Sequence, residues 1–178
     1  MDFITKNWEG IVALFALLTS AISTIIAFYT FRLQRTHNIK SVRPILHIGQ
    51  WDYENNIYVT LVNLGVGLAI VKNVCVTNKV DETKNCLYDW LPKKLAGDMN
   101  YKEYWTGFKS FVVQPGQVIK LIEIPVDTSK EYQIQEREKI RSILRQLTIK
   151  VTYKDIYENE MTMCEMELFH FSRTDNEN

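Results

Sequence analysis

Few residues in this chain have the types and spacing that covalent chemistry needs. The three histidines, His37, His47 and His170, lie far apart, and no His-Glu-x-x-His or Gly-x-Ser-x-Gly pattern is present. Asp52 and Glu54 follow His47 closely enough to suggest an acid–base set, yet the string Asp-Tyr-Glu-Asn-Asn reads first as a polar hairpin turn. Cys75, Cys86 and Cys164 form no Cys-x-x-Cys pair, so zinc is not expected. Asn63-Leu-Gly-Val-Gly-Leu-Ala69 has the glycines of a phosphate-cradling loop but lacks the Lys and Ser/Thr that would complete one. The reading is therefore a non-enzyme with no catalytic residue, no metal and no cofactor. Asn63, Gly65 and Gly67 read as a structural turn. The glycines would serve positive φ or close backbone approach, and the asparagine would bond nearby backbone.

Binding chemistry is better represented. Trp51, Tyr53, Trp90, Tyr101, Tyr104, Trp105 and Phe108 fall in loop-like sequence. Four of them, Trp90, Tyr101, Tyr104 and Trp105, form a candidate surface together with Lys93, Lys94 and Lys102. Aromatic rings can stack on a base or pack on a protein, and lysines can meet anionic groups. The expected occupant is a protein partner or a small nucleotide-like signal. Double-stranded nucleic acid is not expected, because 21 basic residues are balanced by 21 acidic ones over 178 residues.

The element that decides where this chemistry works is Ile11–Phe31, IVALFALLTSAISTIIAFYTF, an uncharged run. About 20 apolar residues are needed to cross the ~30 Å hydrocarbon core. A cleaved signal peptide would have a basic start and a shorter apolar core. The expectation is a retained transmembrane helix over 11–31, after a short extracytoplasmic segment 1–10. Arg32, Arg35, Lys40 and Arg43 follow in a basic juxtamembrane linker, 32–43, suited to anionic lipid. The positive-inside rule then puts the remainder in the cytoplasm, at the inner membrane, with free thiols. Ala13, Ala16, Ser20, Ser23, Ala27 and Thr30 recur at alternating three- and four-residue steps. They form one stripe of small residues, expected as a helix–helix interface in a homo-oligomer.

From Pro44 to 172 the pattern predicts a mostly-β cytosolic domain, a β-sandwich or small barrel of seven to eight strands with one accessory helix. Strands are expected over 44–49, 57–63, 68–77, 86–91, 109–113, 118–124, 147–153 and 161–171. Pro115-Gly116 would close a hairpin between 109–113 and 118–124, and 155–160 would turn a final hairpin. Cys164 alternates with Met166 and Leu168 and is expected in the core. A helix is expected over 129–146, opened by a Thr128/Glu131 capping box. Its apolar face would be Ile140, Ile143, Leu144 and Leu147, with Glu136, Arg137, Glu138, Lys139, Arg141 and Arg145 solvated. A disordered tail, 173–178, would follow.

The Asn63–Ala69 turn, preceded by Arg43-Pro44, resembles a motif of bacterial membrane-anchored β-sandwich proteins. Tyr153-Lys-Asp-Ile-Tyr157 is similar to a turn near the end of such domains. Those turns often carry Gly after the aromatic, where this chain has Glu158. In architecture, a membrane anchor on a small cytosolic β domain is similar to the membrane effectors of anti-phage defence systems. That similarity implies a sensing domain that drives a membrane-perturbing oligomer. The alternative reading is a non-gated scaffold that binds another protein through its β domain.

Overall fold

The structure, a computed structural model, describes residues 8–107 and 110–171. Most of segment 1–10, Phe108 and the tail 173–178 lie outside these. The chain divides between Ser41 and Val42 into two compact units.

The first unit is one helix, α1, Trp8–Ser41, of 34 residues. It is long and apolar enough to cross a membrane and lies near the N-terminus. Thr19, Ser23 and Thr24 donate their hydroxyls to the carbonyls of Phe15, Thr19 and Ser20, four residues back. Such bonds satisfy polar side chains where no water is available. The helix runs well past Phe31, through most of the span read as a linker. No Gly or Pro interrupts Arg32–Ser41, and its Arg, Leu, Gln and Lys are good helix formers. Lys40 in the last turn suits the negative end of the helix. Pro44 then disfavours helical backbone at Arg43. What remains between helix and sheet is only 42–45.

The second unit holds nine strands among the described residues. They are β1 Leu46–Tyr53, β2 Asn56–Asn63, β3 Ala69–Asn78, β4 Thr83–Lys84, β5 Glu103–Tyr104, β6 Phe111–Val113, β7 Val118–Pro125, β8 Leu147–Lys154 and β9 Cys164–Glu167. One sheet has the order β1-β2-β7-β5. The other runs β4-β3-β8-β9, with β6 also pairing β3. Every pairing is antiparallel. The two sheets face each other across one core. Ile48, Ile57, Val59 and Leu61 come from the first, Val71, Val74, Ile149 and Val151 from the second. The expected alternation in β2 holds for Ile57, Val59 and Leu61, and a bulge between Val59 and Thr60 buries Thr60 as well.

Several expectations are corrected. Residues 111–113 and 118–125 are not hairpin partners. Pro115-Gly116 does make a tight turn, with Gly116 at φ +71° and the Gln117 N–H donating to Gln114 O at 3.0 Å. The turn nevertheless passes the chain between sheets, since β6 pairs β3 and β7 pairs β2. Residues 86–91 are not a strand but carry a 3-10 turn, Leu87–Trp90. Leu87, Leu91 and Leu95 all enter the core from this side. The final hairpin forms between β8 and β9, yet β9 ends at Glu167. Cys164 is half-buried at the edge of the core, while Leu168 is fully buried.

The accessory helix, α2, spans Glu131–Leu144. Its N-cap is Lys130 rather than Thr128, with no side-chain cap, so the expected capping box does not form. Asp127 organises the entry instead, accepting from the Ser129 N–H (3.1 Å) and hydroxyl (2.6 Å). Ile140 and Leu144 enter the core, as expected. The charged face is not wholly solvated. The Arg141 side chain is only 4% exposed and lies 2.8 Å from Asp52, itself 7% exposed. Arg137 reaches the same carboxylate at 2.9 Å and also donates to Tyr53 O. Two guanidiniums thus converge on one buried carboxylate from β1. Loss of Asp52 would strand two poorly solvated cations, an outcome that costs several kcal/mol, roughly 3–5, in comparable buried pairs.

Candidate functional site

Two places carry the residues singled out by sequence. The first is the aromatic and basic stretch 84–105. Tyr88, which sequence reasoning did not single out, is its centre. Tyr104 stacks on it at 4.3 Å between ring centroids, and Tyr101 meets it edge-on at 5.1 Å. Lys93 Nζ lies 3.9 Å over the Tyr88 ring and 2.8 Å from Asp89. Trp90 is a separate feature, capped by Lys84 at 4.2 Å. Trp105 is separate again, packed on Phe111 at 5.3 Å. Lys94 is exposed. Five of the seven predicted residues, Trp90, Lys93, Tyr101, Tyr104 and Trp105, therefore fall into three groups rather than one platform. The Tyr101 hydroxyl donates to Pro92 O at 2.5 Å, and burial pushes its pKa upward. Cys86 donates to Asp89, and burial followed by that bond raises its thiol to about 11. Such a thiol is a poor nucleophile at neutral pH.

Lys102 belongs to a charge network on the outer face of the first sheet. It lies 3.1 Å from Glu123, and Lys120 lies 2.5 Å from the other oxygen. Burial would raise the Glu123 pKa, but hydrogen bonds from Lys120, Asn56 and Lys102 outweigh it and hold it at about 2. Trp51, Tyr53 and Tyr58 line up beside this network, with centroids 5.8 to 6.1 Å apart. Trp51 and Tyr53 are thus on a strand, not in the loop-like sequence expected. Two open clefts flank Lys102. One, of about 410 Å³, is lined by Asp98–Lys102, Pro125–Asp127 and Gln133. The other, of about 500 Å³, is lined by Lys102–Trp105 and Val118–Lys120. Asp98 accepts from Lys130, Tyr132 and Gln133, which holds its carboxyl below the usual range.

The second place is the turn Asn63–Ala69, and here the structure is more specific than the sequence. Asn63 is fully buried. Its Oδ1 accepts from the N–H of Ile45 (3.1 Å) and of Gly65 (3.0 Å). Its Nδ2 donates to the carbonyls of Gly67 (2.7 Å) and Val113 (3.1 Å). All the hydrogen-bonding capacity of one amide is used. Neither Gly65 nor Gly67 has positive φ. The reason for glycine is close approach. A Cβ on Gly65 would lie 2.4 Å from Arg43 O, and one on Gly67 would lie 1.7 Å from Val42 O. The turn is a clasp closed over 42–45, the residues that immediately follow α1. Asp155 stands close by, accepting from the N–H groups of Tyr157 and Asn159, both at 2.9 Å. Burial opposes its ionisation, but those bonds and Arg43 keep its carboxyl below the usual range.

The stripe Ala13, Ala16, Ser20, Ser23, Ala27 and Thr30 lies along a single arc of α1. Arg32, Arg35 and Lys40 sit on the same helix beyond its apolar stretch, and Arg43 on the clasped segment. A scan of protein-family models gives no match to this chain, and no curated protein matches it.

Proposed function

We propose that the chain is a single-pass membrane protein whose cytosolic β domain senses a signal or partner and passes its state to self-associating membrane helices. One observation carries this reading. The residues after α1 are built into the β domain by the Asn63–Gly67 clasp, and α1 itself continues unbroken to Ser41. A flexible linker would absorb a change in the domain. A helix followed directly by a clasped segment is a contiguous physical connection that can carry one. Arg32, Arg35, Lys40 and Arg43 support the cytoplasmic side for the β domain. The small-residue stripe supports helix–helix contact. The likeness in architecture to anti-phage membrane effectors supports perturbation of the membrane as the output.

The test uses the full chain in lipid vesicles, with crosslinking and dye leakage as readouts. Replacing Ala16 and Ser20 by Leu removes the close approach, so crosslinked oligomers and leakage are both expected to fall sharply. Unchanged crosslinking overturns the helix interface. Intact vesicles together with a stable protein partner recovered from cells favour the scaffold reading instead.

A further inference from the structure

The basic residues of α1 are not spread around the helix. At about 100° per residue, Arg32, Arg35 and Lys40 fall within an arc of about 140°. Phe28 and Tyr29, near the end of the apolar stretch, lie on the same arc. The stripe of Ala13, Ala16, Ser20, Ser23, Ala27 and Thr30 is on the other side, centred about 160° away. Continued at the same spacing, that stripe meets Gln34, His37 and Ser41, and no Lys or Arg. The positive-inside rule counts basic residues and is indifferent to their place around the helix. Orientation in a membrane therefore accounts for the number of these charges and not for the face they share.

The geometry at the start of this arc suits a phosphate. The guanidinium carbon of Arg32 lies 4.6 Å from the ring centroid of Phe28, one turn back. That is within cation–π range. A ring against one face of a guanidinium leaves its N–H donors, which lie in its plane, to a second partner. Arg35 starts about 4.5 Å further along the axis and about 60° round, so both side chains can reach one phosphodiester. Glu9, at the other end, is the only acidic residue of α1, so no carboxylate on the helix competes for them. Arg32 also follows directly on the uncharged run that ends at Phe31. Headgroup phosphates lie near that depth when such a run fills the hydrocarbon core.

We propose that Arg32 and Arg35, with Phe28 packed against Arg32, form a docking site for the phosphate of an anionic phospholipid, on the face of α1 turned away from the small-residue stripe. The proposal rests on the membrane reading of α1 and deepens it, naming the lipid that the helix takes and the face that takes it. Lys40, about 12 Å beyond Arg32 along the axis, adds attraction from a distance rather than a contact. Lipid and a second helix then occupy opposite faces and do not compete.

The full chain is reconstituted into phosphatidylcholine vesicles that contain a small fraction of diazirine-bearing phosphatidylglycerol or, in parallel, diazirine-bearing phosphatidylcholine. After illumination, mass spectrometry reads the yield of lipid adducts on α1. A several-fold preference for phosphatidylglycerol is expected of the natural chain. The double variant Arg32→Gln/Arg35→Gln should lose most of it. A second variant adds Gln34→Arg and His37→Arg to that pair, which restores the two charges on the opposite arc. Thr30 and Leu33 stand four residues back from the new arginines in place of Phe28, so the preference should stay lost. Its retention in either variant overturns the proposal. Displacement of phosphatidylglycerol by an excess of inorganic phosphate assigns the site to the free ion and overturns it too. An absence of preference in natural chain that resists alkaline extraction overturns the proposal and leaves the membrane reading intact. Release of the chain by alkali overturns both.

Discussion

Replacement of Asn63 by Ala is the sharpest perturbation of the clasp. The side chain is fully buried and makes four hydrogen bonds, to the N–H groups of Ile45 and Gly65 and to the carbonyls of Gly67 and Val113. Its backbone bonds, from its own N–H to Gln117 O and from the Gly116 N–H to its carbonyl, survive the change. A typical internal hydrogen bond contributes about 1 kcal/mol, and a buried group left unpaired costs about 1–3 kcal/mol. Water entering the vacated space would rescue part of this. A loss of about 4 kcal/mol is therefore expected, a large share of the roughly 5–15 kcal/mol that holds a domain together. For a domain of this size that is a fall in melting temperature of about 10–15 °C. The measurement is a thermal melt of the full chain in detergent, followed by the fluorescence of Trp51, Trp90 and Trp105. Asn63→Asp refines it. A carboxylate keeps the two acceptor contacts but opposes the Gly67 and Val113 carbonyls, so this variant should be at least as unstable at neutral pH. It should recover in part as acid supplies an O–H donor. A loss below about 1 kcal/mol for the Ala variant would refute the reasoning, because the four groups would then have found other partners. Gly67→Ala probes the same contact from the opposite side. Its Cβ would lie 1.7 Å from the Val42 carbonyl oxygen, so backbone must move and the segment behind the helix must loosen.

The Glu123 network should make stability depend on pH. Its folded pKa of about 2 lies below the ordinary 4.5, so its contribution is complete above about 4.5 and is lost as pH falls through about 2. Between those values the wild type should lose stability more steeply than Glu123→Gln in urea titrations, and equal slopes would refute the assignment. Glu158 occupies left-handed backbone at φ 64°. This is the position where similar turns often have Gly, and a non-Gly residue there costs about 1 kcal/mol. Glu158→Gly should therefore raise the melting temperature slightly, and a fall would mean that Gly's greater unfolded-state freedom outweighs the relief.

Much of the secondary structure was legible because it follows from patterns within a few residues. The apolar stretch 11–31 and the alternation of Ile57, Val59 and Leu61 identify a helix and a strand without reference to the rest of the chain. The Pro115-Gly116 turn was equally legible, yet its partners were not. Local turn chemistry says that the chain reverses, not which strand it meets next, and β6 goes to β3 while β7 goes to β2. The error at 86–91 had a readable warning. Leu87, Leu91 and Leu95 repeat every fourth residue, a spacing that suits one face of a helical turn better than a strand. The charged face of α2 was misread because Arg141 looks like any surface arginine until Asp52 is known to face it.

The clasp draws the same boundary for function. Sequence alone determined that a helix able to cross a membrane precedes a β domain, that basic residues follow the helix, and that Asn63, Gly65 and Gly67 form a turn. Periodicity, charge and residue type suffice for those conclusions. Only the tertiary structure decided what the turn closes on and which carboxylate Arg137 and Arg141 share. Each of these depends on groups remote in sequence, 18 residues apart for Asn63 and Ile45, 50 for Asn63 and Val113, and 85 for Asp52 and Arg137. Hydrogen bonds and close packing act over a few ångströms, so their partners become known only once the chain has been brought together in space.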